Sequence, residues 1–148
     1  IQNLLKEGEK LIFIRHAVAP GGGDPVDFDI LRCETQRNLS KEGIAQSKNI
    51  GKFFSENNIK IDKVLSSEWC RCKQTAKYAF NKYETKSFLN SFFSEKFSSN
   101  KNKQINDLKD FTNLIRQIKQ KKLNFRIVRH KEKKNAFIRR ILENFKRN

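Results

Sequence analysis

An apolar, β-branched run, Lys10-Leu11-Ile12-Phe13-Ile14, stops at Arg15-His16 and gives way to a loop holding Pro20, Gly21, Gly22, Gly23 and Pro25. A short apolar run closed by turn residues reads as a buried strand ending in a mobile loop. The pattern returns late in the chain, where Phe125-Arg126-Ile127-Val128 runs into Arg129-His130. Two strands that each deliver a basic residue and a histidine at their carboxyl ends restrict the fold, because in an open α/β sheet such ends face the ligand crevice.

The segments between them supply helices. Ser40 is a good N-cap, and Ile44, Ala45, Ile50, Phe53 and Phe54 fall on one face of a helix ending near Asn57-Asn58. The later half of Ile59 to Ser66 reads as a second strand. Ser67 is then the expected cap of a second helix, with Trp69, Cys72, Ala76, Ala79 and Phe80 at helical spacing. The order strand, helix, strand, helix predicts an α/β fold with a parallel sheet. A brief helix is expected over residues 1 to 7, stopped by Gly8, and a loop with short helical turns over Phe88 to Lys103. Leu108, Phe111, Leu114, Ile115 and Ile118 predict a helix from about Asn106 to Gln120, and Ala136 to Phe145 again shows helical spacing.

A chain of 148 residues is long enough for one domain with a real core, and a single domain over residues 1–148 is expected. No apolar stretch reaches the ~20 residues that span a bilayer, so no membrane-spanning helix is predicted. Lys and Arg number 32 against 16 Asp and Glu, a net charge of +16 that would attract polyanions. The excess gathers after Lys101, in runs such as Lys119-Gln120-Lys121-Lys122, and solvated helix faces explain it more readily than a nucleic-acid surface. Nucleic acid is thus a disfavoured partner. The chain opens on Ile1 rather than Met, which implies processing or trimming and leaves cytoplasmic and exported locations both open. Three cysteines are present: Cys33 pairing with Cys70 or Cys72 would favour an oxidising compartment, and free buried thiols are the alternative. Cys70-Arg71-Cys72 is too tight for the usual metal spacing, and neither a metal nor a cofactor is expected.

The chemistry lies in the two histidines and the arginines near them. Arg71 falls in the first turn of the second helix, where free backbone N–H groups and the helix dipole favour an anion. Arg15 and Arg71 offer forked donors to phosphate oxygens, and a neutral imidazole at His16 can attack phosphorus. These are the ingredients of phosphoryl transfer without a metal.

Three strings in order give this reading its specificity. Ile12-Phe13-Ile14-Arg15-His16-Ala17 resembles the signature of the histidine phosphatase superfamily, in the branch related to phosphoglycerate mutases. Gln36-Arg37-Asn38-Leu39-Ser40-Lys41-Glu42-Gly43-Ile44-Ala45-Gln46 is similar to that family's L-S/T-x-x-G-x-x-Q helix start, and Val64-Leu65-Ser66-Ser67-Glu68-Trp69-Cys70-Arg71-Cys72-Lys73-Gln74-Thr75-Ala76 to its S-S-x-x-x-R-x-x-Q-T-A element. The resemblance covers residues 5 to 80 and, beyond them, His130 and its strand. It implies a three-layer sandwich around a mostly parallel sheet, shortened at its C-terminal part. It further implies that His16 is the nucleophile and that Arg15, Arg71 and His130 bind the phosphoryl group. Many members use a Glu as proton donor; Glu95 is the first choice here, Glu84 lacks motif context, and Asp24 is the alternative.

Residues around His130 depart from the family, which usually has Thr-His or Gly-His where this chain has Arg129-His130 followed by Lys131-Glu132-Lys133-Lys134. The leading expectation is a metal-independent phosphatase acting on a phosphorylated small molecule or phosphoprotein through phospho-His16. The competing one is a weak or inactive member that serves as a basic phosphate- or nucleic-acid-binding module.

Overall fold

The computed structural model describes residues 2–8, 10–92 and 95–117, and the backbone of residues 125–129. After a short helix α1 (Gln2–Lys6) come strand β1 (Leu11–Arg15), helix α2 (Lys41–Glu56), strand β2 (Lys63–Ser66) and helix α3 (Cys70–Phe80). The two-residue strand β3 (Glu84–Thr85), helices α4 (Glu95–Ser98) and α5 (Lys101–Gln117), and strand β4 (Phe125–Arg129) follow. Short 3-10 turns lie at Cys33–Thr35 and Ser87–Leu89.

All strand pairs are parallel, in the order β1-β4-β2-β3. The strand latest in sequence thus lies between the two earliest, and the chain reverses direction across the sheet to put it there. In sheets of this kind the reversal opens a crevice at the carboxyl ends of the strands. Here Arg15 is level with Arg129, and Ser66 with Val128, so three strand ends meet along one edge.

Successive side chains of a strand face opposite sides of the sheet, and β2 uses this to join two cores. Val64 packs with Phe28, Trp69, Cys72 and Ala76 on the α3 side, whereas Leu65 packs with Leu89 and Leu108 on the α5 side. α2 lies against α3 closely enough that a Cβ on Gly51 would stand 2.1 Å from the Ala79 carbonyl oxygen. Only glycine allows that approach.

Most element positions agree with the sequence, and the differences have physical reasons. Ser40 caps α2 through its side chain, which accepts from the Gly43 N–H at 3.0 Å. Ser67 does not cap α3: that helix begins at Cys70, and the Ser67 hydroxyl instead accepts from the Trp69 N–H and donates to Asn90 Oδ1. α5 starts at Lys101 rather than near Asn106, because its first positions are solvent-facing Lys and Asn with no apolar period to mark them. The 88–103 segment contains a 3-10 turn and a helical turn as well as loop, in agreement with the expected loop with short turns. β3 was not foreseen; two exposed residues carry no pattern. Cys33 pairs with Cys70, and Cys72 stays a buried free thiol. The predicted 136–145 helix lies outside the described residues.

Candidate active site

β1 ends by delivering His16 into a buried position, 6% exposed, at the head of the crevice. Its Nδ1 lies 2.7 Å from the carbonyl oxygen of Ala17, which can only accept, so Nδ1 carries the proton and Nε2 the lone pair. Burial pushes the imidazole pKa down to about 4; the Ala17 hydrogen bond pulls it back in part, and the positive charges of Arg71, Arg15 and Arg37 add to the lowering. At neutral pH the ring is uncharged, with a defined tautomer, as a nitrogen nucleophile must be.

Two helices hold the residues after His16. The Ala17 N–H donates to Thr75 Oγ1 at 3.0 Å, and that hydroxyl donates to the Arg71 carbonyl at 2.7 Å, tying β1 to α3. The Val18 N–H donates to Gln46 Oε1, while the Val18 carbonyl accepts from the backbone N–H and hydroxyl of Ser40. A Cβ on Gly43 would lie 2.0 Å from the same carbonyl oxygen. The Ser, Gly and Gln of the second string and the Thr of the third are therefore the parts that fix the backbone beside His16.

Arg71 is the largest fully buried side chain among the described residues, with 0% exposure. Nη1 pairs with Asp24 Oδ1 at 2.8 Å and approaches the Arg37 carbonyl at 3.5 Å. One face of the guanidinium lies over the Trp69 ring, 4.7 Å from its centroid. The remaining edge, Nε and Nη2, is buried and has no hydrogen-bond partner among the described residues. That edge is the side-on fork that matches two oxygens of a carboxylate or phosphate. Buried donors without partners cost about 1–3 kcal/mol each, more when charged, so this edge is built for an anion.

Asp24 accepts from both Arg71 Nη1 and the Arg37 N–H, at 2.8 and 2.9 Å. Burial alone would raise its pKa, but these hydrogen bonds and the two guanidinium charges together bring it below the usual carboxylate value. It is ionised at neutral pH and has no proton to give. Arg37 donates from Nη1 to the Gly21 carbonyl; burial first, then the charges of Arg71 and Arg15 against the opposing pull of Asp24, lower its pKa.

Of the residues singled out from sequence, Arg15 and His16 line one cleft; Arg71, paired with Asp24, is not among its lining residues but stands near enough for its charge to act on the imidazole. Arg15, His16, Val18 and Gln46 line a cleft of about 340 Å3. Two larger grooves, of about 620 and 610 Å3, run beside α2, but neither is lined by a histidine, a cysteine or an arginine, and we place the chemistry in the smaller cleft. Glu95 opens α4 with its side chain outside the described residues, and His130 lies outside them too, directly after the last residue of β4. Glu84 sits half-exposed at the sheet edge, 2.9 Å from Lys63 Nζ, away from the crevice. Among the described residues no group of three His, Cys, Asp or Glu could hold a metal ion. Arg37, Gln46 and Thr75 are the site residues to which the sequence reading gave no role. All three stand inside the strings quoted for the family resemblance, and their position there was the available signal.

Comparisons with known proteins bear on the fold and the family. No curated protein matches the chain. Among solved structures, a candidate phosphohistidine phosphatase SixA from Agrobacterium tumefaciens superimposes with a TM-score of 0.56 at 22% identity, covering 90% of this chain and 74% of that one. A protein histidine phosphatase SixA complexed with tungstate gives 0.54 at 17% identity, over 81% and 68% of the two chains. The alpha-ribazole phosphatase from Shigella flexneri gives 0.54 at 18%, over 81% and 73%. A profile of the histidine phosphatase superfamily (branch 1) matches residues 11–147. With the phosphoglycerate mutase-like fold around a small parallel sheet and a family match over nearly its whole length, the chain belongs to branch 1 of the histidine phosphatase superfamily.

Proposed function

We propose that this protein is a phosphatase that hydrolyses a phosphomonoester, or a phosphohistidine on a protein, through a covalent intermediate on His16. One observation carries the reading: a fully buried Arg71 has an Nε/Nη2 edge with no hydrogen-bond partner among the described residues, and its charge acts on a histidine kept neutral with its lone pair on Nε2. Nε2 attacks phosphorus, the bond from phosphorus to the leaving oxygen or nitrogen breaks, and the leaving group takes up a proton. Water then attacks the phosphohistidine, releasing inorganic phosphate and restoring His16. Arg15 and Arg71 bind the phosphoryl oxygens, and we assign the same task to His130. Glu95 is the better proton donor of the two weighed from sequence, because Asp24 is held as a carboxylate. The charge of +16 draws a phosphorylated partner toward the crevice.

The reading takes residues 1–148 as one domain with a three-layer sandwich shortened at its C-terminal part. On this reading the Cys33–Cys70 disulfide fits an oxidising compartment better than a reducing one. Chelators are expected to leave turnover unchanged. The test is a single turnover with a labelled phosphoryl donor, comparing the wild type with His16→Ala. An acid-labile, base-stable adduct absent from the variant supports the mechanism. A wild type that binds phosphate yet forms no adduct and shows no turnover would favour a binding module, for which the unusual Arg129-His130 pair is the specific argument.

A further inference from the structure

We infer that Asp24 is a positioning residue: by holding Nη1 of Arg71 it turns the Nε/Nη2 edge of that guanidinium toward the phosphoryl group. The inference rests on the proposed phosphoryl site and gives Asp24 a different part from proton transfer. A guanidinium has limited ways to be held. Trp69 takes one face of Arg71, at 4.7 Å, and Asp24 Oδ1 takes Nη1 at 2.8 Å, which among the described residues leaves the side-on fork as the edge open to a ligand. With Nη1 released, rotation about the last side-chain bonds would let the fork turn away from His16.

The loop that carries Asp24 is fastened to α3 as a positioning element must be. Cys33 is bonded to Cys70, immediately before Arg71 in sequence. Gln36 Oε1 accepts from the Cys70 N–H, Gln74 Oε1 accepts from the Leu39 N–H, and Gln74 Nε2 donates to Asn38 Oδ1. Four residues beyond Asp24, Phe28 is buried against the Trp69 ring, with centroids 4.7 Å apart. The residue that holds one edge of Arg71 and the ring that covers its face are thereby joined through one aromatic contact. Loop 20–39 is on this account a wall of the site, and Asp24 is its point of contact with the reacting group's ligand.

The experiment compares Asp24→Asn and Asp24→Ala with the wild type in two measurements: calorimetric titration with inorganic phosphate, and kcat/KM for p-nitrophenyl phosphate and for an alkyl phosphate. Asn keeps an acceptor oxygen for Nη1 and loses only the charge, so positioning predicts a graded loss. Phosphate affinity should fall roughly tenfold in Asp24→Asn and roughly a hundredfold in Asp24→Ala. Both substrates should lose kcat/KM by the same factor, with the shape of the pH profile unchanged. A loss confined to the alkyl phosphate, equal in both variants and with phosphate binding intact, would overturn the inference and make Asp24 the proton donor. A lower melting temperature with unchanged phosphate affinity in Asp24→Asn would also overturn it, leaving a purely structural pair. The titration needs no turnover: a wild type that binds phosphate without hydrolysing esters defeats the phosphatase reading while the Asp24 effect is still measured. A wild type that does not bind phosphate defeats both.

Discussion

Helices α3 and α5 obey different rules. α5 has 17 residues and buries three of them, Gln104, Leu108 and Thr112, along one stripe; it is a helix that covers a core. α3 has 11 residues and buries five, among them an arginine with no exposure and a threonine hydrogen-bonded to Ala17, the residue after His16. Taking a guanidinium out of water costs several kcal/mol, which packing alone would not justify. The difference teaches that hydrophobic periodicity finds helices that pack, whereas a helix that buries charge where an apolar residue would fit marks the site.

Arg71→Leu tests this contrast most strongly. It should lower kcat/KM by on the order of 10²–10³, the usual cost of one lost donor to a developing oxyanion, and should also destabilise the fold by leaving Asp24 without its buried partner. If turnover survived, α3 would be a packing helix like α5. Next in size, Cys33→Ser opens a loop closed over a sequence separation of 37. It should cost about 3–4 kcal/mol, read by denaturant unfolding, and reductant should lower the wild-type melting temperature similarly. Leu108→Ala, on α5, should cost about 3 kcal/mol through the cavity it leaves, with kcat/KM unchanged for the folded protein. An activity loss there would end the division of labour between the two helices. Gly51→Ala should cost about 1–3 kcal/mol by pressing a methyl group on the Ala79 carbonyl and spreading α2 from α3.

The smallest effect concerns protons. With only two histidines in the chain, imidazole NMR can follow His16 directly, and its midpoint should lie near 4. In the unfolded chain the group titrates near 6.5, so between these values the unfolded state binds more protons and stability falls as pH falls through that window. A midpoint near 6.5 would mean that the site is wetter than the burial of His16 implies.

Local features were readable from sequence. Ser40 announced the start of α2, the apolar run before Arg15 announced β1, and three strings marked most of the site. Contacts between distant residues were not. Asp24 and Arg71 are 47 positions apart, and nothing in either sequence neighbourhood says that the carboxylate will be spent on a guanidinium rather than on a proton. The choice between Cys70 and Cys72 was equally hidden, because it depends on rotation: two positions on a helix point about 200° apart, so only one can meet Cys33. On α5 the apolar pattern placed Leu114 on the packed stripe, yet it is 51% exposed, because Gln104 and Thr112 take the buried positions and rotate the helix.

The strand order also has a consequence in time. β4 is the last described strand to leave the ribosome, yet it is the one to which β1 and β2 both bond. Until residue 129 has been made, the two earliest strands have no ladder between them, and the crevice lacks its middle row. His16, at the end of β1, and Arg71, on α3, are synthesised early, but the sheet behind them closes only when β4 joins β1 to β2, so a nascent or prematurely ended chain would carry the sequence signature of the family without the sheet that supports it.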